Sequence, residues 1–142
     1  MSLTPALIRW LQTDDAAVWL VPLTANPPED TDLLTSLTRL RRDVSVEQTA
    51  ALVEAARLRH QAITKFPDSG GRMFFTKQSL QQASAAVVAS LTANRFTQYQ
   101  WVVDLGCGLG DDSLALAQKG LHTLAVDQNP QPTALVAANV GR

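Results

Sequence analysis

The feature that most constrains the fold is a glycine-rich turn between a short apolar run and a helix start, in the stretch "VVDLGCGLGDD" over residues 102–112. Gly106, Gly108 and Gly110 stand at alternate positions directly after the apolar run. Glycine adopts positive φ readily and lacks the Cβ atom that would keep a ligand away from the backbone. A strand, such a turn and a helix are together typical of the ligand-binding edge of an α/β sheet. A tight turn without a ligand is the alternative interpretation.

The sequence around this turn alternates between strand and helix patterns. The runs "YQWVVDLG" and "HTLAVD" are rich in β-branched and other apolar residues, which favours strands. The segment "DDSLALAQKG" predicts a helix that Gly120 closes, and "PQPTALVAANVGR" predicts a second helix that starts with Pro130. Residues 99–142 therefore predict the order β-α-β-α with parallel strands. We expect an α/β fold that contains the first half of a Rossmann-like, doubly wound sheet, which is incomplete.

The first part of the chain predicts four helices. "TPALIRWLQ" has Pro5 at a helix start, and a second helix is expected from Asp14. The proline-rich stretch "LTANPPEDTD" ends in acidic and hydroxyl residues that can cap a third helix, "LLTSLTRLRR". Ser45 and Gln48 form a capping-box pattern ahead of the fourth and longest helix.

A break at "PDSGG" separates this helical region from the glycine-rich turn. After the break, "RMFFTKQSLQQASAAVVASLTANRF" predicts an extended start and a helix that begins near Thr76 or Ser79. We therefore divide the chain into three parts. These are a helical region over residues 1–66, a connecting segment and helix over residues 67–98, and the first half of a sheet domain over residues 99–142.

The acidic residues around the turn indicate which ligand it suits. After Gly106 and Gly108, a dinucleotide-binding turn has its third glycine at the position of Asp111. Asp104, Asp111 and Asp112 would also repel a pyrophosphate, at about 1–4 kcal/mol for each pair of like charges. A ligand with positive charge and no phosphate, such as S-adenosylmethionine, is attracted instead. An NAD-dependent oxidoreductase is therefore the less favoured interpretation.

Asp127 ends the second predicted strand, 21 positions after Gly106. A carboxylate at this place can accept hydrogen bonds from the two hydroxyls of a ribose, in a nucleoside ligand of either kind. The alternative is that Asp127 is a loop or capping residue before "QNP". Asp111 and Asp112 have an alternative role too, since acids in a first helical turn favour the helix dipole whatever the function.

Two stretches resemble a known enzyme family. "VVDLGCGLGDDSLALAQKGLHTLAVDQNP" resembles motif I and the following acidic strand end of class I S-adenosylmethionine-dependent methyltransferases. "KFPDSGGRMFFTKQSL" resembles the segment before the same core in bacterial THUMP-like methyltransferases and, more distantly, in trimethylguanosine synthase. The resemblance covers residues 64–142. The sequence differs from the trimethylguanosine synthase pattern at Asp111, which replaces a glycine, and at Lys77, which replaces a proline.

The resemblance implies an enzyme that transfers a methyl group from S-adenosylmethionine. It places Asp104 near the methionine end of the cofactor, Asp127 at the ribose, Gln128 beside the adenine, and Phe75 and Thr76 over the pocket. The residues that we expect to bind the cofactor are Thr76, Asp104, Gly106, Gly108, Gly110, Asp112, Asp127 and Gln128. No metal ligand is expected, because neither His60 nor His122 has partners at metal-binding spacing.

The acceptor site of this family lies at the end of the fourth strand, where Asn or Asp is followed by Pro-Pro and an aromatic residue. No such motif occurs in the sequence, so no catalytic residue is identified. The chain ends at Arg142 after two predicted strands, whereas a doubly wound domain has roughly five to seven. We therefore expect the N-terminal, cofactor-binding part of a methyltransferase, with weak cofactor binding at best and no activity alone.

The resemblance implies that the methyl acceptor is RNA or another nucleotide-containing substrate. A net charge of -1 creates no overall field for nucleic acid or a membrane, so RNA would need a local basic patch. A solvated face is the favoured explanation of the basic residues on the third and fourth helices, and an RNA-facing patch is the functional alternative. These residues are Arg39, Arg41, Arg42, Arg57, Arg59 and Lys65. With one cysteine and no apolar run long enough to span a bilayer, the sequence predicts a cytoplasmic protein without a membrane partner.

A second function class is compatible with the same sequence. The chain would then be a non-catalytic helical interaction module whose partial α/β tail serves for docking or dimerisation. Two parallel strands alone leave both outer edges unpaired, and unpaired edges favour self-association.

Overall fold

The computed structural model describes residues 3–140, and three of its first four helices begin with a side-chain capping hydrogen bond. The helices are α1 (Pro5–Trp10), α2 (Asp14–Ala25), α3 (Leu33–Leu40) and α4 (Val46–Ala62). The hydroxyls of Thr4 and Thr13 accept hydrogen bonds from backbone N–H groups in the first turns of α1 and α2. The predicted capping box of Ser45 and Gln48 is present at the start of α4, the longest helix. The four-helix prediction is confirmed.

Helix α4 lies at the centre of this region, and more than half of its residues are buried. Its residues Leu52 and Ala56 are fully buried, and α2 packs along it. The largest apolar cluster joins residues of α1 to α4 with Leu135 and Ala138, which lie near the end of the chain. The helical region therefore shares its core with the last described helix.

The segment after α4 contains two short helices where the sequence predicts one. After residues 73–76, which lie outside helices and strands, α5 spans Lys77–Gln82 and α6 spans Ala86–Asn94. Ala83 and Ala85 have extended backbone angles, so helical hydrogen bonding stops at residues 83–85. The physical reason lies in two distant side chains: Lys65 donates to carbonyls at the end of α5, and Asp111 accepts from Ser84 N–H.

The last third of the described chain has the predicted β-α-β-α order. Strand β1 (Trp101–Leu105) is followed by α7 (Asp111–Gln118), β2 (His122–Val126) and α8 (Pro130–Val140). The two strands are parallel and in register, with Trp101 opposite His122 and Leu105 opposite Val126. The α/β class is confirmed as a mixed structure with a two-stranded parallel sheet. The predicted continuation of the last helix through Gly141 and Arg142 lies outside the described residues.

The two faces of this sheet have different environments. Val102 packs with apolar residues of α6 and α7, whereas the opposite face is open to solvent. Its exposed apolar residues are Trp101, Val103, Leu105, Leu124 and Val126. Leu105 is 78% exposed, and the Trp101 ring, 69% exposed, stacks on His122 at a centroid distance of 4.7 Å. None of the described helices is both long and apolar enough to pass through a bilayer.

Candidate functional site

The glycine-rich turn after β1 adopts the conformation that its composition predicts. Gly106, Gly108 and Gly110 have φ angles of 75°, 52° and 88°, in the left-handed region that favours glycine. The N–H groups of Gly106 and Cys107 donate to the carbonyl of Val126, at 2.8 and 3.1 Å. The turn is therefore fixed to the end of β2, and it opens at the carboxyl ends of both strands, where ligands bind in parallel sheets.

A cavity of about 430 Å³ lies against this turn. That volume is in the usual range for a small-molecule site. Three parts of the chain enclose it: the α5 segment with the following linker, the turn with the start of α7, and the start of α8. The lining residues are Thr76, Gln78, Ser79, Gln82, Ala83, Ser84, Asp104, Gly106, Cys107, Gly108, Leu109, Asp111, Asp112, Asp127, Asn129, Gln131, Pro132 and Leu135.

Six of the eight residues predicted from the sequence lie together in this cavity. They are Thr76, Asp104, Gly106, Gly108, Asp112 and Asp127. Gly110 is buried elsewhere, against α8: a Cβ atom at this position would lie 2.7 Å from Val136 Cγ2. Gly110 therefore allows close packing of the turn on α8. Gln128 is exposed and does not line the cavity.

Three of the four cavity aspartates have defined hydrogen-bond partners. Asp104 Oδ2 accepts from the buried Ser113 hydroxyl at 2.5 Å. Asp127 Oδ1 accepts from the backbone N–H of residue 129 at 2.9 Å, which is an Asx turn, so Asp127 has the loop role that is the alternative to ribose binding. Asp111 Oδ2 accepts from the N–H of residue 84 at 2.8 Å. Asp112 makes no hydrogen bond within residues 3–140.

The cavity is strongly anionic. Its lining contains four aspartates and, among the described residues, no Lys, Arg or His. Burial raises the pKa of the Asp112 carboxyl, and the negative charges of Asp111 and Asp104 raise it further. Burial also raises the pKa of the Cys107 thiol, with Asp104 and Asp127 adding to the effect. A cationic ligand would reverse the electrostatic part of these effects.

One wall of the cavity was not predicted residue by residue. The side of α5 that faces the turn contributes Gln78, Ser79 and Gln82, and the linker contributes Ala83 and Ser84. The local signal for this wall is a second capping box, in which Thr76 and Ser79 exchange hydrogen bonds. It marks the start of α5 but does not indicate which way the helix faces.

The predicted basic patch is divided by the structure. Arg57 donates to the carbonyl of residue 28 and pairs with Asp30 at 2.9 Å. Arg59 is 4% exposed, donates to the carbonyls of residues 72 and 73, and lies over the Phe74 ring. Lys65 donates to three backbone carbonyls of residues 80–83. The remaining members, which are exposed on or just after α3, are Arg39, Arg41 and Arg42.

The helical region matches a protein family described as a domain of unknown function (DUF8688), over residues 4–62. These residues run from the N-cap of α1 to the last residue of α4 and include none of the cavity lining. No curated protein and no solved structure matches the chain. Within residues 3–140, no group of three or more His, Cys, Asp or Glu side chains is placed to hold a metal ion.

Proposed function

We propose that the chain binds S-adenosylmethionine in the cavity at the ends of β1 and β2, as the cofactor-binding part of a class I methyltransferase. The observation that supports this most strongly is the anionic lining: four aspartates beside a glycine turn, without a basic side chain among the described lining residues. Such a site attracts a ligand that carries an ammonium and a sulfonium. It repels the negative charges of the NAD pyrophosphate.

Two of the four cavity aspartates, Asp104 and Asp127, have positions that fit this ligand. The second carboxylate oxygen of Asp127 is available for the ribose hydroxyls, since Oδ1 accepts from the Asx turn. Ser113 fixes the orientation of Asp104, which suits it to bind the ammonium of the methionine end. Gly106 and Gly108 bring the backbone within contact distance of the ligand because they have no Cβ atoms.

Bound S-adenosylmethionine supplies a methyl group on a positively charged sulfur, which leaves as a neutral thioether when the methyl group is transferred. The chain's own contribution is to bind and orient the cofactor. Carboxylates near the sulfonium stabilise the bound cofactor before transfer, when it is charged. We propose RNA or another nucleotide-containing molecule as the methyl acceptor, on the sequence resemblance and the exposed arginines at α3.

Calorimetric titration tests the cofactor. We expect S-adenosylhomocysteine and S-adenosylmethionine to bind and NAD not to bind. Asp104→Ala and Asp127→Ala should each weaken binding by about 1.5–3 kcal/mol, the usual contribution of a hydrogen bond to a charged group. Glu29→Ala, a change at a carboxylate far from the cavity lining, is the matched control. Equal binding of NAD, or cofactor binding that neither cavity variant weakens, would contradict the proposal.

The exposed apolar face of the sheet favours the second candidate, a docking or dimerisation module. Sedimentation velocity over a range of concentrations measures self-association directly. If this face is the interface, the double variant Leu105→Lys, Leu124→Lys should no longer associate, whereas Asp104→Ala and Asp127→Ala should leave association unchanged. A chain that associates in this way and binds no cofactor would support the docking module over the methyltransferase.

A further inference from the structure

The linker at residues 83–85 is held from two sides. On one side, Lys65 Nζ donates to the carbonyls of Leu80 at 2.8 Å, Ala83 at 3.0 Å and residue 81 at 3.3 Å. These carbonyls lie at the end of α5, where the last backbone carbonyls of a helix have no N–H donors within the helix. The Lys65 ammonium supplies the missing donors, and its positive charge interacts favourably with the negative end of the helix dipole.

On the other side, Asp111 holds the same linker. Its Oδ2 atom accepts from the backbone N–H of Ser84 at 2.8 Å, across 27 residues of sequence. Asp111 is the first residue of α7 and follows the glycine turn directly. This hydrogen bond therefore connects two walls of the cavity, since Ser84 and Ala83 line it from the α5 side.

We infer that Asp111 is a positioning residue, which acts on the cofactor through the backbone of Ser84. This inference rests on the proposed cofactor function. Asp111 would then differ in role from its neighbour Asp112, which has the same charge and lines the same cavity but makes no hydrogen bond within the described residues. Lys65 anchors the other side of the linker from the turn that follows α4.

The physical basis is the extended backbone of the linker. Ala83 and Ala85 have ψ angles of 139° and 147°, so the helical hydrogen bonds of α5 end with the Ala83 N–H and those of α6 begin at the Ala85 carbonyl. The N–H of Ser84, between them, bonds to Asp111 instead. Leu80 of α5 packs in one apolar cluster with Leu109 of the turn, and this cluster also holds the α5 wall in place. Without the Asp111 acceptor, Ser84 N–H bonds to water, and the linker loses its side-chain anchor on the side of the turn.

Two neutral variants separate this role from a direct charge effect. Asp111→Asn and Asp111→Ala both remove the negative charge, but only asparagine keeps an oxygen that can accept from Ser84 N–H. We expect S-adenosylhomocysteine to bind Asp111→Ala roughly tenfold more weakly than Asp111→Asn, the effect of one hydrogen bond. Asp43→Asn and Asp43→Ala make the same pair of changes at an exposed carboxylate outside the cavity lining, and they should bind equally to each other.

Hydrogen exchange of the Ser84 amide, measured without ligand, gives a second result. The exchange rate should be roughly tenfold faster in Asp111→Ala than in Asp111→Asn, and equal in the two Asp43 variants. Equal exchange in the two Asp111 variants would overturn the anchor, and faster exchange with equal binding would overturn its positioning role. If the unmodified chain binds no S-adenosylhomocysteine, the proposed function fails, the positioning role fails with it, and exchange still shows whether the anchor exists.

Discussion

The side chain of Asn139 hydrogen-bonds both backbone polar groups of Phe74. Its Oδ1 accepts from the Phe74 N–H at 2.7 Å, and its Nδ2 donates to the Phe74 carbonyl at 3.0 Å. The same Nδ2 lies 3.4 Å from the carbonyl of Leu109, in the glycine-rich turn. One amide on α8 therefore connects the extended segment before α5 with the turn that lines the cavity.

Asn139→Ala should lower the free energy of unfolding by about 2–4 kcal/mol. Asn139 is 2% exposed, so its removal leaves buried backbone groups without these partners. Asn129→Ala, which removes one acceptor from an exposed turn before α8, should cost less than about 1 kcal/mol. Urea denaturation followed by circular dichroism measures both, and similar losses in the two variants would contradict the central role of Asn139.

Alanine substitutions at Gly110 and Gly106 should differ in effect: the first should mainly lower stability, and the second should mainly weaken ligand binding. At Gly110, a Cβ atom would meet Val136, so Gly110→Ala should cost about 3 kcal/mol or more of stability. At Gly106, nothing lies within 4 Å of the added Cβ atom, and only the backbone strain of about 1–2 kcal/mol applies. Gly106→Ala should instead weaken S-adenosylhomocysteine binding, because Gly106 lines the cavity. Thermal unfolding and calorimetry together test the pair.

Cys107 should react slowly with thiol reagents. It is 5% exposed, and burial raises the pKa of its thiol, so little thiolate forms at neutral pH. We expect a rate with a disulfide reagent at pH 8 that is roughly a hundredfold below that of the chain unfolded in guanidinium. Comparable rates in the folded and unfolded chains would show that the turn opens readily to solvent.

The charge on Asp112 should reduce stability at neutral pH. The pKa of its carboxyl is raised in the folded chain, so the folded state takes up this proton at a higher pH than the unfolded state does. The protonated Asp112 carboxyl therefore contributes to the free energy of unfolding at low pH. This contribution is lost as the pH rises through the raised pKa. Asp112→Asn should be more stable than the unmodified chain at pH 7, with the difference closing near pH 4. Denaturation curves across this range measure it, and a difference that grows at low pH would contradict the burial of Asp112.

Reversal of Arg41 and Arg42 to glutamate should weaken RNA binding. These side chains are exposed, whereas Arg57, Arg59 and Lys65 already have intramolecular partners. We expect the affinity to fall and its dependence on salt to become less steep, since fewer phosphate contacts release fewer counterions. Reversal of Arg9 and Arg95 changes the net charge equally and is the control for that patch. Equal loss in both double variants would indicate a general charge effect.

Local features of the fold are predictable because neighbouring residues determine them. The capping box at Ser45, the positive φ angles of the turn and the β-α-β-α order all depend on residues a few positions apart. The break at residues 83–85 depends on Lys65 and Asp111, which are distant in sequence and meet only in the folded chain. No local pattern contains that information.

The same limit applies to the candidate site. Carboxylates and glycines next to the strand ends could be named in advance, because the ends of parallel strands meet at one edge of a sheet. The position of Gly110 against Val136 depends on how α8 packs, and the burial of Arg59 depends on the chain reversal after α4. The sequence therefore indicates which chemical groups line the cavity more reliably than how the surrounding helices pack to enclose it.

The register of the two strands has a consequence for how the sheet and the cavity influence each other. The last row of the exposed face is the pair Leu105 and Val126, and the residues that follow them are Gly106 and Asp127 of the cavity. The open face and the anionic cavity therefore share the ends of the same two strands. A substitution at Leu105 or Val126 that is made to test association changes the residue directly before the cavity, so its effect on ligand binding has to be measured as well.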